Sequence, residues 1–344
     1  MRAVVYDGFG RLPEVRQVAD PVPPDGGALI RVAATGLCRS DWHGWQGHDA
    51  DISVLPHVPG HEFAGVVEAV GPGVTGWRPG DRVTVPFVCA CGRCPECASG
   101  NQQVCERQTQ PGFHHWGSFA ELVAIGAADV NLVGLPDDMA FATAASLGCR
   151  FATAYRAVVA RARVRPGEWL AVHGCGGVGL SAVMIASVAG ARVVAVDVSW
   201  DALALAVRFG AEETLQAEED DSDDDVAARV RELTGGGTHV SIDALGSAGT
   251  CAAALGGLRR RGRHVQVGLL PGSTSLPLGR VIANELEIIG SHGMAAHDYP
   301  EMLGLIASEG LRPQELVTRT IGLHEAPAAL EGIGSQPGIT IITP

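Results

Sequence analysis

The sequence predicts an α/β chain in two parts: an irregular β-barrel over residues 1–150, then a doubly wound sheet of six parallel strands over 151–292. Two observations carry this. Up to about residue 135 the apolar residues fall in short β-branched runs broken by Gly, Pro and Asp, as a small all-β unit requires. Beyond Pro166-Gly167 the pattern changes to buried strands alternating with helices, and a glycine-rich turn joins the first such pair.

A length of 344 residues suits about two domains. The formal net charge of −13 disfavours nucleic acid or any other polyanionic partner. Hydrophobic residues make up 46% of the chain, yet its apolar stretches are broken well before the ~18 residues of a membrane span, which predicts a soluble protein. Met1-Arg2-Ala3-Val4-Val5-Tyr6 enters a strand pattern directly, without a signal peptide's apolar core, and this predicts a cytoplasmic location. In that compartment nine cysteines read as metal ligands and buried thiols rather than disulfides.

In the first part, strands are expected at Arg2–Tyr6, Ala28–Ala34, Phe63–Val70 and Arg82–Val85. After the second comes Cys38-Arg39-Ser40-Asp41-Trp42-His43, with a soft metal ligand, a cation, a hydroxyl, a carboxylate and an imidazole in six residues. One thiolate makes no site, but His61 precedes the third strand and Cys149 ends the apolar run Ala144–Cys149. Cys38, His61 and Cys149 form a Cys₂His set that leaves the fourth position of a tetrahedral zinc open, the requirement of a catalytic site. Cys91, Cys94, Cys97 and Cys105 offer four thiolates within fifteen residues, enough for a closed structural cage; Cys89 is a spare thiol beside them. A helical pattern from Met139 to about Ala160 carries Cys149.

In the second part, the strand Glu168–His173 runs into Gly174-Cys175-Gly176-Gly177-Val178-Gly179, which opens the helix Leu180–Ala189. Asp197 ends the next strand, Arg192–Val196, 18 residues after Gly179. This is the Rossmann arrangement: small residues admit a pyrophosphate to the helix N-terminus, and the carboxylate bonds the adenosine ribose hydroxyls. Asp197 and Asp201, with no basic residue in Val198-Ser199-Trp200, repel a 2′-phosphate and select NAD(H) over NADP(H). Further strands are expected near Val240–Ala244, Arg263–Val267 and Glu287–Gly290. The acidic run Glu218–Asp225 reads as a solvated loop capping the next helix. Helices near Tyr299–Glu309 and Glu325–Ile333 and a last strand Ile339–Ile342 follow, and Cys175 and Cys251 read as small buried hydrophobes.

With its two cysteine-rich sets and glycine motif, the chain resembles, from Arg2 to its C-terminus, the zinc-dependent alcohol dehydrogenases of the medium-chain dehydrogenase/reductase family. The resemblance implies that residues 1–150 and 293–344 form a GroES-like catalytic domain around residues 151–292 as the NAD-binding domain. It implies two zinc ions per chain, and contacts to nicotinamide from Leu245, Gly268, Leu269 and Ser291. Arg39 would face the pyrophosphate, and Asp41 would fix the His61 tautomer. Ser40, the nicotinamide ribose and His43 would carry the substrate's proton to solvent, and Glu62 would stand beside the metal or replace water on it. Where relatives often carry an Arg near the last strand, this chain has Pro337-Gly338-Ile339-Thr340, which leaves more of the pyrophosphate charge to Arg39. Homotetramers are expected by the same analogy, with Leu286–Gly290 as a pairing edge.

The expected activity is reversible hydride transfer between NAD(H) and an alcohol or its ketone or aldehyde, hence also carbonyl reduction. A polyol or amino-alcohol dehydrogenase of the same superfamily is the nearest alternative, differing only in the shape of a pocket to which Trp42 and Phe87 are candidate walls. A zinc-free quinone or enoyl reductase would not need Cys38, His61 and Cys149. A nucleotide-sensing protein without catalysis would not need Ser40 and His43.

Overall fold

The computed structural model describes residues 1–344 except Glu219, Pro271, Glu309, Ser335 and Gln336, so one residue of the acidic run and the end of the expected Tyr299–Glu309 helix lie outside the described residues. Contacts divide the chain into two units, Met1–Ala152 with Gly293–Gly304 and Pro313–Pro344, and Thr153–His292 with Leu305–Arg312.

The first unit is built on the ten-residue strand Ala28–Leu37. Its alternate residues Ala28, Ile30 and Val32 bury against Phe63, Val67, Val83 and Ile125, the period-2 pattern of a half-covered sheet. The sheet has seven strands, in the order Val317–Gly322, Ile339–Thr343, Ala28–Leu37, Glu62–Val70, Arg82–Thr84 and Val133–Gly134, with Leu122–Ile125 also on Ala28–Leu37. Its end strands do not pair with each other among the described residues, so the expected barrel is an open sheet rather than a closed one. A second cluster, of Tyr6, Leu37, Trp45, Phe119, Ile321 and Ile342 among others, also packs in this unit.

The second unit contains six parallel strands in the order Glu213–Gln216, Arg192–Asp197, Trp169–His173, Thr238–Asp243, Leu258–Gln266 and Glu287–Gly290. Numbered along the chain this is 3-2-1-4-5-6, the Rossmann order. The strand not located from sequence is the edge strand Glu213–Gln216, where only Leu215 is buried. Ser222 caps the helix Asp223–Leu233 by accepting the Asp225 N–H, and Asp223, Asp224 and Asp225 occupy its first turn, where the helix dipole favours them. No helix among the described residues is long and apolar enough to cross a membrane.

The helix expected from Met139 to Ala160 is interrupted. Phe141–Ala145 passes into a π-helical turn at Leu147–Phe151, and a second such turn comes after Ala152–Arg156 at Ala157–Arg161. An extra residue in a turn rotates the rest of the helix about its axis, and such insertions occur often at functional sites. Cys149 stands in the middle of the first.

Candidate active site and metal centres

The strand Ala28–Leu37 ends at Cys38, the N-cap of the short helix Arg39–Trp45. Asp41, in the first turn, is 2% exposed and accepts three hydrogen bonds. Its Oδ2 takes the Cys38 N–H at 2.9 Å, and its Oδ1 takes the Gly60 N–H at 3.0 Å and faces His61 Nδ1 at 2.9 Å. A carboxylate can only accept, so the neutral ring carries its proton on Nδ1 and its lone pair on Nε2. That Nε2 is buried without a hydrogen-bond partner in the protein. One ligand atom each from Cys38, His61 and Cys149 lie within 4.8 Å of one another. An orphaned imidazole nitrogen facing two thiols is a candidate zinc site, and three such ligands fit a tetrahedral ion with one position to spare.

The two thiols and the ring shift one another's titration, and the negative charge of Asp41 and the Cys38 thiolate favours a cation between them. A hydrogen bond from Cys149 and the neighbouring His61 outweigh burial and hold the Cys38 thiol well below its usual range, so the pair carries its thiolate at Cys38. Burial opposes charge on His61, but Asp41 and the Cys38 thiolate outweigh it and raise the ring well above 6.5. Glu62 is fully buried and turned to Arg150, whose N–H and Nε bond Oε1 at 2.7 and 3.1 Å and whose Nη2 bonds Oε2. Burial raises the Glu62 carboxyl, and Arg150 opposes that rise. A side chain at Gly36 would come within 2.6 Å of Glu62 Oε2 and 2.8 Å of Arg150 Nη2, so only glycine fits beneath the pair.

Cys91, Cys94, Cys97 and Cys105 form the second cluster, again with ligand atoms within 4.8 Å. Burial raises the Cys105 thiol, and the N–H groups of Cys91 and Arg107, both pointing at its Sγ at 3.3 Å, oppose that rise, while a backbone hydrogen bond from Arg93 brings Cys91 down to about 6. Donors aimed at sulfur stabilise thiolates, as a closed metal cage needs. Cys89 stands apart in the sheet core, its thiol pushed up to about 12 by burial.

In the second unit Gly174 takes φ 88°, and a Cβ on Gly179 would lie 1.8 Å from the Gly174 carbonyl oxygen, so the third glycine of the motif lets helix Gly177–Val188 close on its strand. A Cβ at Gly176 would meet nothing within 4 Å, which leaves that backbone approachable, as a pyrophosphate site needs. The Asp197 carboxylate accepts the Cys175 N–H at 2.5 Å and the Ser199 N–H at 2.9 Å. Gly174 abuts Leu245, and Gly268 abuts Gly246, so these turns gather at the C-terminal edge of the sheet. Leu245 and Leu269 are exposed, while the Ser291 N–H bonds the Gln266 carbonyl at 3.0 Å and the Ser291 hydroxyl is buried without a partner.

The chain is similar along its length to known proteins. Residues 24–137 match the model of the alcohol dehydrogenase GroES-like domain, and 177–308 that of the zinc-binding dehydrogenases. An alcohol dehydrogenase of Geobacillus stearothermophilus is 37% identical over 90% of both chains. The chain belongs to the zinc-containing alcohol dehydrogenases. A second member, described as an NAD-dependent alcohol dehydrogenase, from Sulfurisphaera tokodaii, is 31% identical over 97% of this chain and 96% of its own. The solved alcohol dehydrogenase of Thermus sp. ATN1 superposes with a TM-score of 0.90 at 34% identity, covering 100% of this chain and 99% of that one.

Within this alcohol dehydrogenase the remaining candidates fall near the first metal cluster or beside it. Cys38 Sγ is 3.9 Å from Ser40 Oγ. The Arg39 guanidinium lies over the Trp42 ring at 4.3 Å and donates to the Ile333 carbonyl at 3.3 Å. Phe87 stands edge-on to His61 with ring centroids 6.2 Å apart. Three residues here had drawn no notice in the sequence. Phe113 is nearer the His61 ring, at 5.3 Å, Arg150 holds Glu62, and His48 meets His43. Of the three, only Arg150 carries a signal in the sequence, a charge directly after a candidate ligand cysteine.

Proposed function

We propose that this alcohol dehydrogenase uses NAD(H) to interconvert alcohols with ketones or aldehydes. The observation that carries the reading is the buried, unpartnered His61 Nε2 facing Cys38 and Cys149. Cys38, His61 and Cys149 are assigned to the catalytic zinc, and Cys91, Cys94, Cys97 and Cys105 to the structural one. When bound, the catalytic zinc supplies a Lewis acid that lowers the pKa of an oxygen ligand, and NAD(H) exchanges the hydride.

The protein's own groups do the rest. Asp41 keeps the His61 lone pair directed at the metal position. Ser40 is assigned to the substrate's proton and His43 to its passage outward; burial and then Arg39 lower the His43 pKa, so the ring is neutral near pH 7 and able to accept. Glu62, engaged by Arg150, is assigned the place beside the metal. Arg39 and the segment Gly174–Gly179 are assigned to the pyrophosphate, Asp197 to the adenosine ribose, and Leu245, Gly268, Leu269 and Ser291 to the nicotinamide. Functionally, residues 1–150 with 293–344 act as the catalytic domain and 151–292 as the NAD domain.

The same reading takes the enzyme to be a cytoplasmic homotetramer. Its pairing edge is Leu286–Gly290, whose strand Glu287–Gly290 has a strand neighbour on one side only among the described residues and an exposed Ile288. Light scattering that finds only monomer would remove the tetramer. The activity itself is tested by following NADH absorbance with zinc-loaded protein and a panel of simple alcohols, polyols, amino alcohols and ketones. Turnover is expected with members of the panel, and no absorbance change with any of them refutes the reading.

A further inference from the structure

The turn after helix Arg39–Trp45 folds the chain back so that two imidazoles meet. His43 Nδ1 and His48 Nδ1 are 3.1 Å apart, with ring centroids at 5.4 Å. The backbone fixes the reversal: the Gln46 N–H bonds the Trp42 carbonyl at 2.9 Å, the Gly47 N–H the Gly44 carbonyl at 3.0 Å, and the His48 N–H the His43 carbonyl at 3.0 Å. Gly47 supplies the left-handed step, at φ 78°. Trp42 stands edge-on to both rings, with centroids at 5.0 and 5.6 Å, and so limits their rotation.

A hydrogen bond between two Nδ1 atoms needs one donor and one acceptor, so a neutral pair holds its rings in opposite tautomers. With the proton on His43 Nδ1, the His43 Nε2 lone pair is free to receive another, and the His48 Nδ1 lone pair faces the first. The charged groups around His43 are Arg39 on its own helix, Cys38 at the helix start, and His48 and Asp49 in the returning turn. Arg39 disfavours an imidazolium at His43, so a proton arriving there is better passed on than kept.

We propose that His48 is the outer half of a two-histidine proton exit, accepting at Nδ1 the proton that His43 gives up when it is protonated at Nε2. The balance is one N–H bond made at His43 Nε2, one proton moved from His43 Nδ1 to His48 Nδ1, and one N–H broken at His48 Nε2, its proton going to water or a buffer base. Both rings are exposed, so exchange with water restores the starting tautomers. His48 acts through His43 and touches neither substrate nor cofactor. The inference rests on the proton role assigned to His43 above.

The test uses zinc-loaded protein with ¹⁵N-labelled histidine, without nicotinamide cofactor. A scalar coupling between the two Nδ1 nuclei is expected, with titration of the rings as a linked pair in two steps, and His48→Leu should leave His43 titrating alone. In weakly buffered solution His48→Leu should lower kcat for alcohol oxidation about tenfold, less than the ~100-fold lost with a direct proton donor, and added imidazole should restore it. The KM for NAD should stay unchanged. If His43 titrates identically with and without His48, and turnover is unaltered and insensitive to imidazole, the inference is overturned. If His43→Leu itself leaves turnover intact, the proton role assigned to His43 falls, and the inference with it; loss in His43→Leu but not in His48→Leu removes the inference alone.

Discussion

Arg150 is the residue whose removal should be felt most. Its guanidinium and the Glu62 carboxylate are 7% and 0% exposed and share two hydrogen bonds, with a third to the carboxylate from the Arg150 backbone N–H, so each is the other's replacement for water. Truncating one partner of such a pair leaves an unpaired buried charge and costs about 3–5 kcal/mol, whereas replacing both by uncharged groups of similar volume costs far less. Arg150→Met is therefore expected to destabilise the zinc-loaded protein by about 4 kcal/mol, and Glu62→Gln by about 3 kcal/mol, since Gln keeps only one acceptor for a buried guanidinium. Arg150→Met with Glu62→Gln should cost less than the sum of the two by at least ~2 kcal/mol. Urea titration followed by tryptophan fluorescence gives the four midpoints of the cycle. Additive costs would mean that the two side chains do not depend on each other, and the reasoning from their geometry would fail.

The two metal clusters should separate stability from chemistry. Cys94→Ala is expected to lower the unfolding midpoint and cut zinc content from two ions to one with the remaining ion still catalytic, whereas Cys149→Ala should abolish turnover with the fold retained; equal losses of stability in both would contradict the division. Asp197 should favour NADH over NADPH by at least about a hundredfold in kcat/KM with one ketone, and Asp197→Gly with Ser199→Arg should narrow or invert the ratio; equal values in the unaltered enzyme would remove Asp197 from the ribose. His173 is fully buried, and burial lowers its ring from 6.5 to about 4. Between those values the unfolded chain binds a proton that the folded one refuses, so its contribution is complete above pH 6.5 and falls by about 3 kcal/mol as pH drops towards 4; His173→Met should flatten that slope in a thermal series, and an unchanged slope would refute the assignment.

The two candidate ligand clusters, which the structure brings together, were legible in the sequence because their chemistry resides in side-chain identity: a thiol or an imidazole announces itself wherever the fold puts it. The glycine motif was legible because its conformation depends on missing side chains, as the 1.8 Å approach at Gly179 makes plain. What escaped depends on hydrogen bonding over distance or on turns that leave no mark in composition. Glu213–Gln216 is a half-exposed polar edge, so it lacks the apolar alternation by which a strand is recognised. Closure of a sheet is decided by which end strands pair, and alternation within each strand is identical in an open and a closed sheet. The π-helical turn at Leu147–Phe151 differs from a straight helix by a single inserted residue, which the run of small apolar side chains from Ala144 onward conceals.

Asp41 shows how local and long-range demands can be met by one side chain. As a helix N-terminal residue it would be explained completely by its bond to the Cys38 N–H, and as a histidine partner by its bond to His61. Both act at once, together with the Gly60 N–H, so the carboxylate ties the end of the strand Ala28–Leu37 to the start of the strand Glu62–Val70. These strands are already antiparallel neighbours, with Gly36 opposite Glu62, and the sheet register by itself brings residues 38 and 61 close. Asp41 turns that closeness into direction, because the bond that starts the helix also fixes the ring that completes the ligand set. The third ligand arrives differently: Arg150, one residue after Cys149, reaches Glu62, one residue after His61, so the buried ion pair clamps the turn that carries the thiol to the strand that carries the imidazole. Two carboxylates outside the Cys₂His set thus hold its three candidate ligands in place, and the site's precision resides in residues that a search for thiols and imidazoles passes over.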